Sequence, residues 1–564
     1  MKKIFSILMM LSLSITFLTS CIEEVDPQTN RLTEKMYSET PGAFESQVVA
    51  LTSNLSGKPL YYSSASDACY DFGITSLWLH RDQFGQDMVP AGPMNYFIYW
   101  YGMAIPYLGS SYALCQIPWT IYYGWIKDCN TAISMYKAVP TADKASGAGI
   151  AYTMRAMLYQ DVVRMYAAAP YCLDPEAETV PYVDDESGLV TSNPRVKFAD
   201  AYGKIIEDLN KAEELLADYV REDIYTPDLS VVYGLKARAY LEIQDWENAE
   251  KYAKLAQEGY AMMSEDEYLS RDYGFNSPNS SWMFATRFRD TDASIKDNDG
   301  DSSWGSIMIM ENGFDCGYAA NYGGPMLIDR HLYETIPSSD FRKQMFVDFA
   351  LDDMSAEAQA EALAAYTDHA EQIQGSAAAA SIGVGGMEFK FRPQAGNYAT
   401  KYIAWCVSVP LMRVEEMKLI EAEAAGMQDE ARGIQLLTAF AQTRDPQFVY
   451  GQHNEAYGNP NTSAFQNEIW WQRRVELWGE GFATFDMKRL NKGLIRNYAN
   501  TNHVADYRWN LEDANEMVTV HQDAVYPHWM NYTIVQTETN YNKDCTNNPD
   551  PISPVGDSKE VTEW

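Results

Sequence analysis

The stretch Val231–Tyr260, VVYGLKARAYLEIQDWENAEKYAKLAQEGY, decides the fold of this chain. Small and aromatic residues recur at helical spacing on both sides of Asp245-Trp246: Ala237, Ala239 and Tyr240 before it, and Ala249, Tyr252, Ala253 and Ala256 after it. Small residues let two helices approach closely, while the aromatic rings fill the space between them. The stretch therefore predicts a hairpin of two helices that turns at Asp245-Trp246.

The same helical period appears in four other segments. They are Trp119–Tyr136, Ile150–Tyr166, Phe198–Ala217, and a helix that starts at Val409 or Leu411, ends at Ala425 and is closed by Gly426. Paired helices of this kind are typical of tetratricopeptide repeats, and such pairs have to stack because none can bury its apolar face alone. We therefore predict a mainly α protein, an α/α superhelix with its hairpins mainly within 119–260 and 409–440.

Two regions break this helical pattern. Between about Glu265 and Thr335, a strand-like run with Trp282 and Phe284 leads into a loop-rich segment that extends through Tyr322-Gly323-Gly324-Pro325. Long irregular segments in a compact protein are usually functional or disordered. The alanine-rich stretch Ser355–Ser381 predicts one exposed helix followed by a flexible tip.

The N-terminus has the order of residues found in a bacterial lipoprotein leader. Lys2 and Lys3 precede an apolar stretch, 4–17, which is too short to cross a bilayer as a permanent helix, and Leu18-Thr19-Ser20-Cys21 follows it. The pattern predicts that residues 1–20 are a removed signal peptide and that Cys21 is acylated. The alternative is an ordinary secretory peptide whose cysteine is incidental. On the first interpretation, lipid holds the exported chain at a membrane.

Charge and cysteine spacing exclude several classes of protein. The net charge of −35 repels phosphate backbones and anionic lipid headgroups, so we expect no nucleic-acid binding. Apart from Cys21, the remaining cysteines are scattered without a CxxC spacing, which favours neither a zinc site nor a dense disulfide framework. Their odd number leaves at least one free thiol, and one or two disulfides stay open.

The sequence carries no motif of a common catalytic or metal site. GxSxG, P-loop, GxGxxG and HExxH patterns are missing, and the 7 histidines never share a helix at ligand spacing. Carboxylates are so frequent that a nearby pair does not indicate glycoside hydrolysis. The segment Asp297–Asp301 resembles a calcium loop, but its glycine falls at the wrong position, which favours a solvated loop. We predict no enzyme activity, no cofactor and no metal.

Four blocks of the sequence together resemble the SusD/RagB family of outer-membrane nutrient-binding lipoproteins. They are Arg155–Tyr166 running on to Ala169-Pro170, Gly234–Leu241 followed by Asp245-Trp246, Arg413–Ala424, and Arg473–Arg489. Their order and spacing agree with the family from Cys21 to about Arg489. In the last block, the family's C-terminal signature, Phe482-Ala483-Thr484 replaces the commoner His-Arg-Trp. We interpret this block as structural, so the departure indicates a divergent branch.

The resemblance implies one domain, 21–564, built on four tetratricopeptide-like hairpins, with the other half of the chain forming the ligand face. Family members are not enzymes. They cover a SusC-like TonB-dependent transporter and deliver oligosaccharides to it, or less often peptides. Glu23, Glu24 and Asp26 resemble the acidic signal that sends some lipoproteins of Bacteroidetes-type bacteria to the cell surface. Peptide capture, a protein-binding scaffold without a small ligand and, remotely, an extracellular hydrolase are the alternatives.

The aromatic residues indicate where a glycan could bind. The CH-rich faces of sugars stack on aromatic rings, and their hydroxyls need amide or guanidinium partners. Two stretches offer both among glycines and prolines, 79–102 and 302–324, the second within the loop-rich region 265–335; both lie where the family's ligand loops fall. The candidate ligand-binding residues are Arg81, Asn95, Tyr96, Trp100, Trp304, Tyr318, Asn321 and Tyr322. For each aromatic, the alternative is core packing.

Overall fold

Helices dominate the computed structural model, which describes residues 40–57, 72–92, 97–103, 108–187, 192–296, 303–311, 317–321, 324–510, 521–551 and 559–564. Within these ranges the helices of seven residues or more are α1 (Ala43–Ser53), α2 (Ile74–Phe84), α3 (Ala113–Ala138), α4 (Ala145–Tyr166), α5 (Phe198–Leu215), α6 (Leu229–Glu242), α7 (Trp246–Ala256), α8 (Ala356–Leu363), α9 (Val414–Gln428), α10 (Glu430–Ala441), α11 (Ala464–Glu476) and α12 (Ala483–Arg489). The shorter α-helices are Glu265–Tyr268, Ala293–Lys296, Trp304–Met308, Tyr318–Asn321, Arg330–Thr335, Ala370–Gln374, Ala377–Ile382, Lys401–Ala404 and Gln536–Thr539.

The strands form three small antiparallel ribbons. They are β1 (Met88–Pro90) with β5 (Met326–Ile328), β2 (Glu178–Pro181) with β3 (Arg195–Lys197), and β4 (Trp282–Arg287) with β6 (Ser408–Arg413). Each ribbon has two strands, so the sheets supply local connections and the helices supply the frame.

The long helices stack in a continuous series. Helix α4 packs between α3 and α5, α6 packs on α7, and α9 packs on both α7 and α10. The apolar faces of these helices merge into one large core of buried side chains. The predicted mainly α fold of stacked helical pairs is confirmed.

The hairpin predicted at 231–260 is present as α6 and α7. Asp228 caps α6 by accepting hydrogen bonds from the backbone N–H groups of Ser230 and Val231, and Asp245 caps α7 through the N–H of Asn248. A Cβ at Gly234 would overlap the Met412 side chain, so glycine lets α6 lie directly against β6.

The helix predicted from Val409 or Leu411 has different bounds in the structure. Residues 408–413 form β6, which pairs with β4, and the helix runs from Val414 to Gln428. All six residues of β6 are buried, and pairing with β4 outweighs their helical pattern. Gly426 does not close the helix. It lies inside α9, where a Cβ would overlap the Phe465 ring.

The alanine-rich stretch also differs from the prediction of one helix and a flexible tip. It forms α8 and two more short helices, Ala370–Gln374 and Ala377–Ile382. Ser355 and Ser376 cap α8 and the last of these helices with their side chains, which divides the stretch into separate segments. Leu363, Ile373 and Ala378 are buried in a second, smaller core that also contains Val89 and Leu327.

A buried ion network around Glu476 joins β6, the segment that follows α10, and α11. The Arg413 Nη1 atom lies 3.1 Å from Glu476 Oε1, and Arg444 Nε and Arg342 Nη1 each lie 3.2 Å from Glu476 Oε2. Neighbouring ionic groups extend the network: Asp340, Lys390, Glu415 and Glu480. Because Glu476 and Glu480 belong to the block Arg473–Arg489, the structure gives that block a packing role.

Two expectations from the sequence concern the thiols and the membrane. The described cysteines Cys115, Cys129, Cys172, Cys406 and Cys545 are all free thiols, and Cys69 and Cys316 lie outside the described residues. Over the described ranges, no helix is both long enough and apolar enough to cross a membrane.

Candidate functional site

The two stretches predicted to hold the ligand residues meet at one ribbon. Strand β1 pairs with β5, with Pro90 opposite Met326, and the Ala91 N–H donates a 3.1 Å hydrogen bond to the Pro325 carbonyl. Gly324 has a φ of 80°, and a Cβ there would lie only 2.7 Å from the Ala91 Cβ. The segments that contain Asn95, Tyr96 and Tyr322 therefore start from adjacent backbone. We call Ala91, Gly92, Asn321 and Gly324 the loop base.

Trp304 lies in the interior of the protein. Ser303 caps the Trp304–Met308 helix by accepting a hydrogen bond from Ser306 N–H, and the Trp304 ring is 5.0 Å from the Phe391 ring and 6.5 Å from the Trp78 ring. Only 1% of Trp304 is exposed. Both neighbouring rings meet it edge to face, so Trp304 has no free ring face to offer a sugar.

Trp100 and Tyr318 are also buried. The Trp100 ring stacks on the His80 ring at 3.9 Å, and the Phe97 ring lies 5.7 Å away on a tilted plane. Tyr318 is fixed by its backbone N–H, which donates a 2.9 Å hydrogen bond to Ser306 Oγ. Like Trp304, these two side chains form part of the core.

Arg81 makes an internal ion pair. Its Nη1 atom lies 2.7 Å from Asp161 Oδ2, and its guanidinium group lies 4.5 Å from the Phe485 ring centroid. Burial alone would lower the pKa of Arg81, but Asp161 holds it above the usual value. The guanidinium group therefore joins α2 to α4 and α12 and does not face the solvent.

The remaining predicted residues divide into two groups. Asn321 is half-buried at the loop base, at the end of the Tyr318–Asn321 helix. Asn95, Tyr96, Tyr322 and the predicted lipidation residue Cys21 lie outside the described residues. Ligand contact by any of the predicted residues stays a prediction, but four of them have no exposed binding surface in this structure.

An exposed aromatic surface lies close to the buried Trp304, and the sequence analysis missed it. The Lys401–Ala404 helix presents Tyr402, 50% exposed, and Ile403, 47% exposed. Trp405, just after this helix, packs on Gly305, where a Cβ would lie 2.5 Å from its ring. We call residues 397–403 the Tyr402 ridge. An exposed ring therefore lies on the short helix whose following residue, Trp405, packs against the second predicted stretch.

The Tyr402 ridge has charged groups on it and close to it. The Lys401 ammonium lies 5.5 Å from the Tyr402 ring centroid. The Cys406 thiol donates to the Tyr402 carbonyl, and burial raises the pKa of that thiol to about 11, with Asp290 and Asp292 adding to the shift. These carboxylates therefore lie near the base of the ridge.

The ridge combines groups of the kinds that bind sugars in proteins. A tyrosine ring can stack on the CH-rich face of a sugar, and ammonium and carboxylate groups can bond its hydroxyls. In the part of the chain that the structure describes, His, Cys, Asp and Glu side chains form no group of three or more that could hold a metal. The sequence has the pattern expected of a glycan-binding loop at this place, because Asn397, Tyr398 and Tyr402 follow Gly396 closely. The segment lies outside the two stretches where the family's ligand loops fall.

Comparison with known proteins identifies the family. The sequence model of the SusD family matches residues 264–550, and a related model, described as starch-binding associating with outer membrane, matches residues 110–241. The chain belongs to the SusD family. This confirms the resemblance drawn from the four sequence blocks. No protein with a curated function matches the chain.

Several solved structures share the fold of this SusD-family chain. A SusD-like carbohydrate binding protein from Bacteroides vulgatus has a TM-score of 0.65 at 21% identity, covering 89% of this chain and 97% of its own. A SusD superfamily protein from Bacteroides thetaiotaomicron has a TM-score of 0.65 at 17% identity, covering 90% and 99%. Surface glycan-binding protein A from the same organism, in complex with laminarihexaose, has a TM-score of 0.60 at 16% identity, covering 90% and 99%.

Proposed function

We propose that this SusD-family protein binds an oligosaccharide at the cell surface. The observation that carries the proposal is the exposed ring of Tyr402, three residues before Trp405, which packs on Gly305 in the second candidate stretch. The family description as starch-binding and the laminarihexaose complex of a protein with the same fold support this ligand class. The protein acts by binding and carries out no reaction on the glycan.

The proposed ligand surface extends from the Tyr402 ridge to the loop base. Tyr402 stacks on the sugar, and Asn95, Tyr96, Asn321 and Tyr322 supply further rings and amides. The shared start of the two loop segments at Ala91 and Gly324 favours one common site for these residues.

The proposal includes a place in uptake. Cys21 carries lipid that holds the protein in the outer membrane, facing outwards, and the bound glycan passes to a SusC-like TonB-dependent transporter. The leader pattern before Cys21 and the family's description as outer-membrane associated support this arrangement.

Titration calorimetry of the Tyr402→Ala variant tests the ligand surface. Laminarihexaose, maltohexaose and xylohexaose serve as probes, together with a casein digest as the peptide alternative. We expect at least one glycan to bind, and we expect Tyr402→Ala to weaken its binding about two- to tenfold, since one aromatic contact contributes about 0.5–1.5 kcal/mol.

Tyr541→Ala is the matched control, because Tyr541 is 83% exposed and lies outside the ridge. It should bind the glycan as the parent protein does, and circular dichroism should show equal helicity for both variants. Unchanged affinity in Tyr402→Ala would remove the ridge from the site. Binding of the digest with no glycan binding would replace glycan capture by peptide capture.

A further inference from the structure

A second cleft lies on the helical frame, at the turn of the α6–α7 hairpin. It has a volume of about 400 Å³ and is formed by this turn, the segment 458–462, the end of α12 and the segment 523–525. That volume lies within the range of small-molecule sites in proteins. No residue of the Tyr402 ridge or the loop base lines it.

The walls of the cleft are held by two asparagines. Asn459 donates from Nδ2 to the Leu490 carbonyl at 3.0 Å and accepts the Asn461 N–H at 3.0 Å. Asn491 donates to the Asp523 carbonyl at 2.8 Å and accepts the Val525 N–H at 2.8 Å. Because these bonds join the segments that surround the cleft, its shape is formed before any ligand arrives.

Other polar groups in the cleft are left for a ligand. Gln466 accepts the Ser463 N–H with its Oε1 atom. Its NH₂ group makes no hydrogen bond with the described residues. The exposed side chains of Asn461 and Gln244 likewise form none within the described ranges. Trp246 adds a half-buried ring to the same wall.

Glu242 lies on the floor of the cleft and is only 4% exposed. Among the described residues, its carboxyl group has neither a hydrogen bond nor an ion pair. The neighbouring Arg489 is already paired, at 2.9 Å with Glu423 and 2.7 Å with Asp486. Burial raises the pKa of Glu242, and the nearby charges of Arg164, Arg489 and Lys488 offset only part of this shift. Because none of these groups donates a hydrogen bond to the carboxyl group, its position favours a ligand that hydrogen-bonds to it.

The charges of the cleft limit the class of ligand. Glu242 and Asp523 disfavour an anion, and the charge of Arg489 is already neutralised by Glu423 and Asp486. A neutral molecule with several hydroxyl groups and one apolar face matches the carboxylates, the amides and the Trp246 ring. We propose that this cleft is a second saccharide site, which holds one neutral sugar unit on the helical frame. The proposal does not rest on the Tyr402 ridge, and an experiment can contradict one site without contradicting the other.

The indole N–H signal of Trp246 in ¹⁵N-NMR spectra of the intact mature chain reports on the cleft directly. Trp246→Phe assigns the signal. Glucose, galactose, mannose and xylose are titrated separately to about 100 mM, because a ligand of this size binds with a Kd on the order of millimolar. We expect at least one sugar to shift the signal in a saturable way, and neither butylammonium nor inorganic phosphate to do so.

Asn461→Ala should weaken the binding of that sugar at least threefold. Because Asn461 is exposed, the variant should keep its fold. Tyr402→Ala should leave the shift unchanged, which separates this cleft from the proposed ligand surface. The absence of a shift with all four sugars overturns the proposal, as does an equal response of Asn461→Ala. A shift with butylammonium alone would instead identify a cation site.

Discussion

Glu476 shows how one residue can hold several elements together. Its carboxylate is shared by Arg342, Arg413 and Arg444, and all four side chains are at most 1% exposed. Burial alone would raise the pKa of Glu476, but the three guanidinium groups hold it well below its usual value. The pKa values of Glu480 and Asp486 are lowered in the same way by their basic partners.

These lowered pKa values predict a loss of stability in acid. The carboxylates release protons more readily in the folded chain, so their contribution is complete above the unfolded pKa of about 4.3 for Glu and is lost as pH falls below it. Glu476→Gln should lower the free energy of unfolding at pH 7 by about 3–5 kcal/mol, because three buried cations lose their shared partner.

Urea unfolding at several pH values between 7 and 3 measures both effects. The parent chain should lose stability below about pH 4.5, and Glu476→Gln should lose less over the same interval. Glu480→Gln serves as a second variant if the first does not fold. An acid slope that is identical in the parent and both variants would contradict this account of the network.

At the scale of elements, glycines decide how closely the helices pack. Gly426 in α9 and Gly433 in α10 lie in direct contact beneath Phe465, and a Cβ on either one would overlap its neighbours. Gly203 in α5 is different, because a Cβ there meets nothing within 4 Å. The same residue type therefore has opposite consequences at these positions.

Alanine substitutions at these glycines give a matched pair. Gly426→Ala should destabilise the chain by about 1–3 kcal/mol through overpacking. Gly203→Ala should stabilise it by about 0.5–1 kcal/mol, since alanine restricts the unfolded chain and favours the helix. Thermal melts followed by circular dichroism check both. Equal effects of the two substitutions would mean that the α9–α10 contact is not tightly packed.

At the scale of the whole molecule, the proposed anchor at Cys21 determines where the protein works. Cys21→Ala should abolish lipid attachment, and the protein should leave the membrane fraction, because the acyl chains that we propose as its anchor would be missing. Mass spectrometry of the N-terminal peptide and fractionation of cells check this. Membrane retention of Cys21→Ala with an unmodified N-terminus would argue against the lipoprotein assignment.

The proposed role in glycan uptake requires a partner protein in the outer membrane. A SusC-like transporter should co-purify with the lipidated protein from outer membranes solubilised in mild detergent. The Tyr402→Ala variant should still bring down the transporter, since we propose that Tyr402 contacts the ligand and not the barrel. Loss of both glycan and transporter in this variant would place Tyr402 in the interface.

The sequence by itself determined the helical frame and the family. The hairpin at 231–260 follows from local sequence. Its small residues recur at helical spacing, and its aspartate caps stand directly before the helices that they cap. It did not determine β6, because residues 408–413 become a strand only through pairing with β4, far away in the chain.

The tertiary structure alone decided which aromatic rings are exposed. Trp100, Trp304 and Tyr402 all lie in aromatic, polar stretches of sequence, yet the first two are 1% exposed and the third is 50% exposed. Exposure depends on what packs against a ring from distant parts of the chain: His80 covers Trp100, Trp78 and Phe391 cover Trp304, and no described side chain covers Tyr402 to the same extent. Composition can indicate that a chain has rings for a sugar, but only long-range packing decides which rings face the solvent.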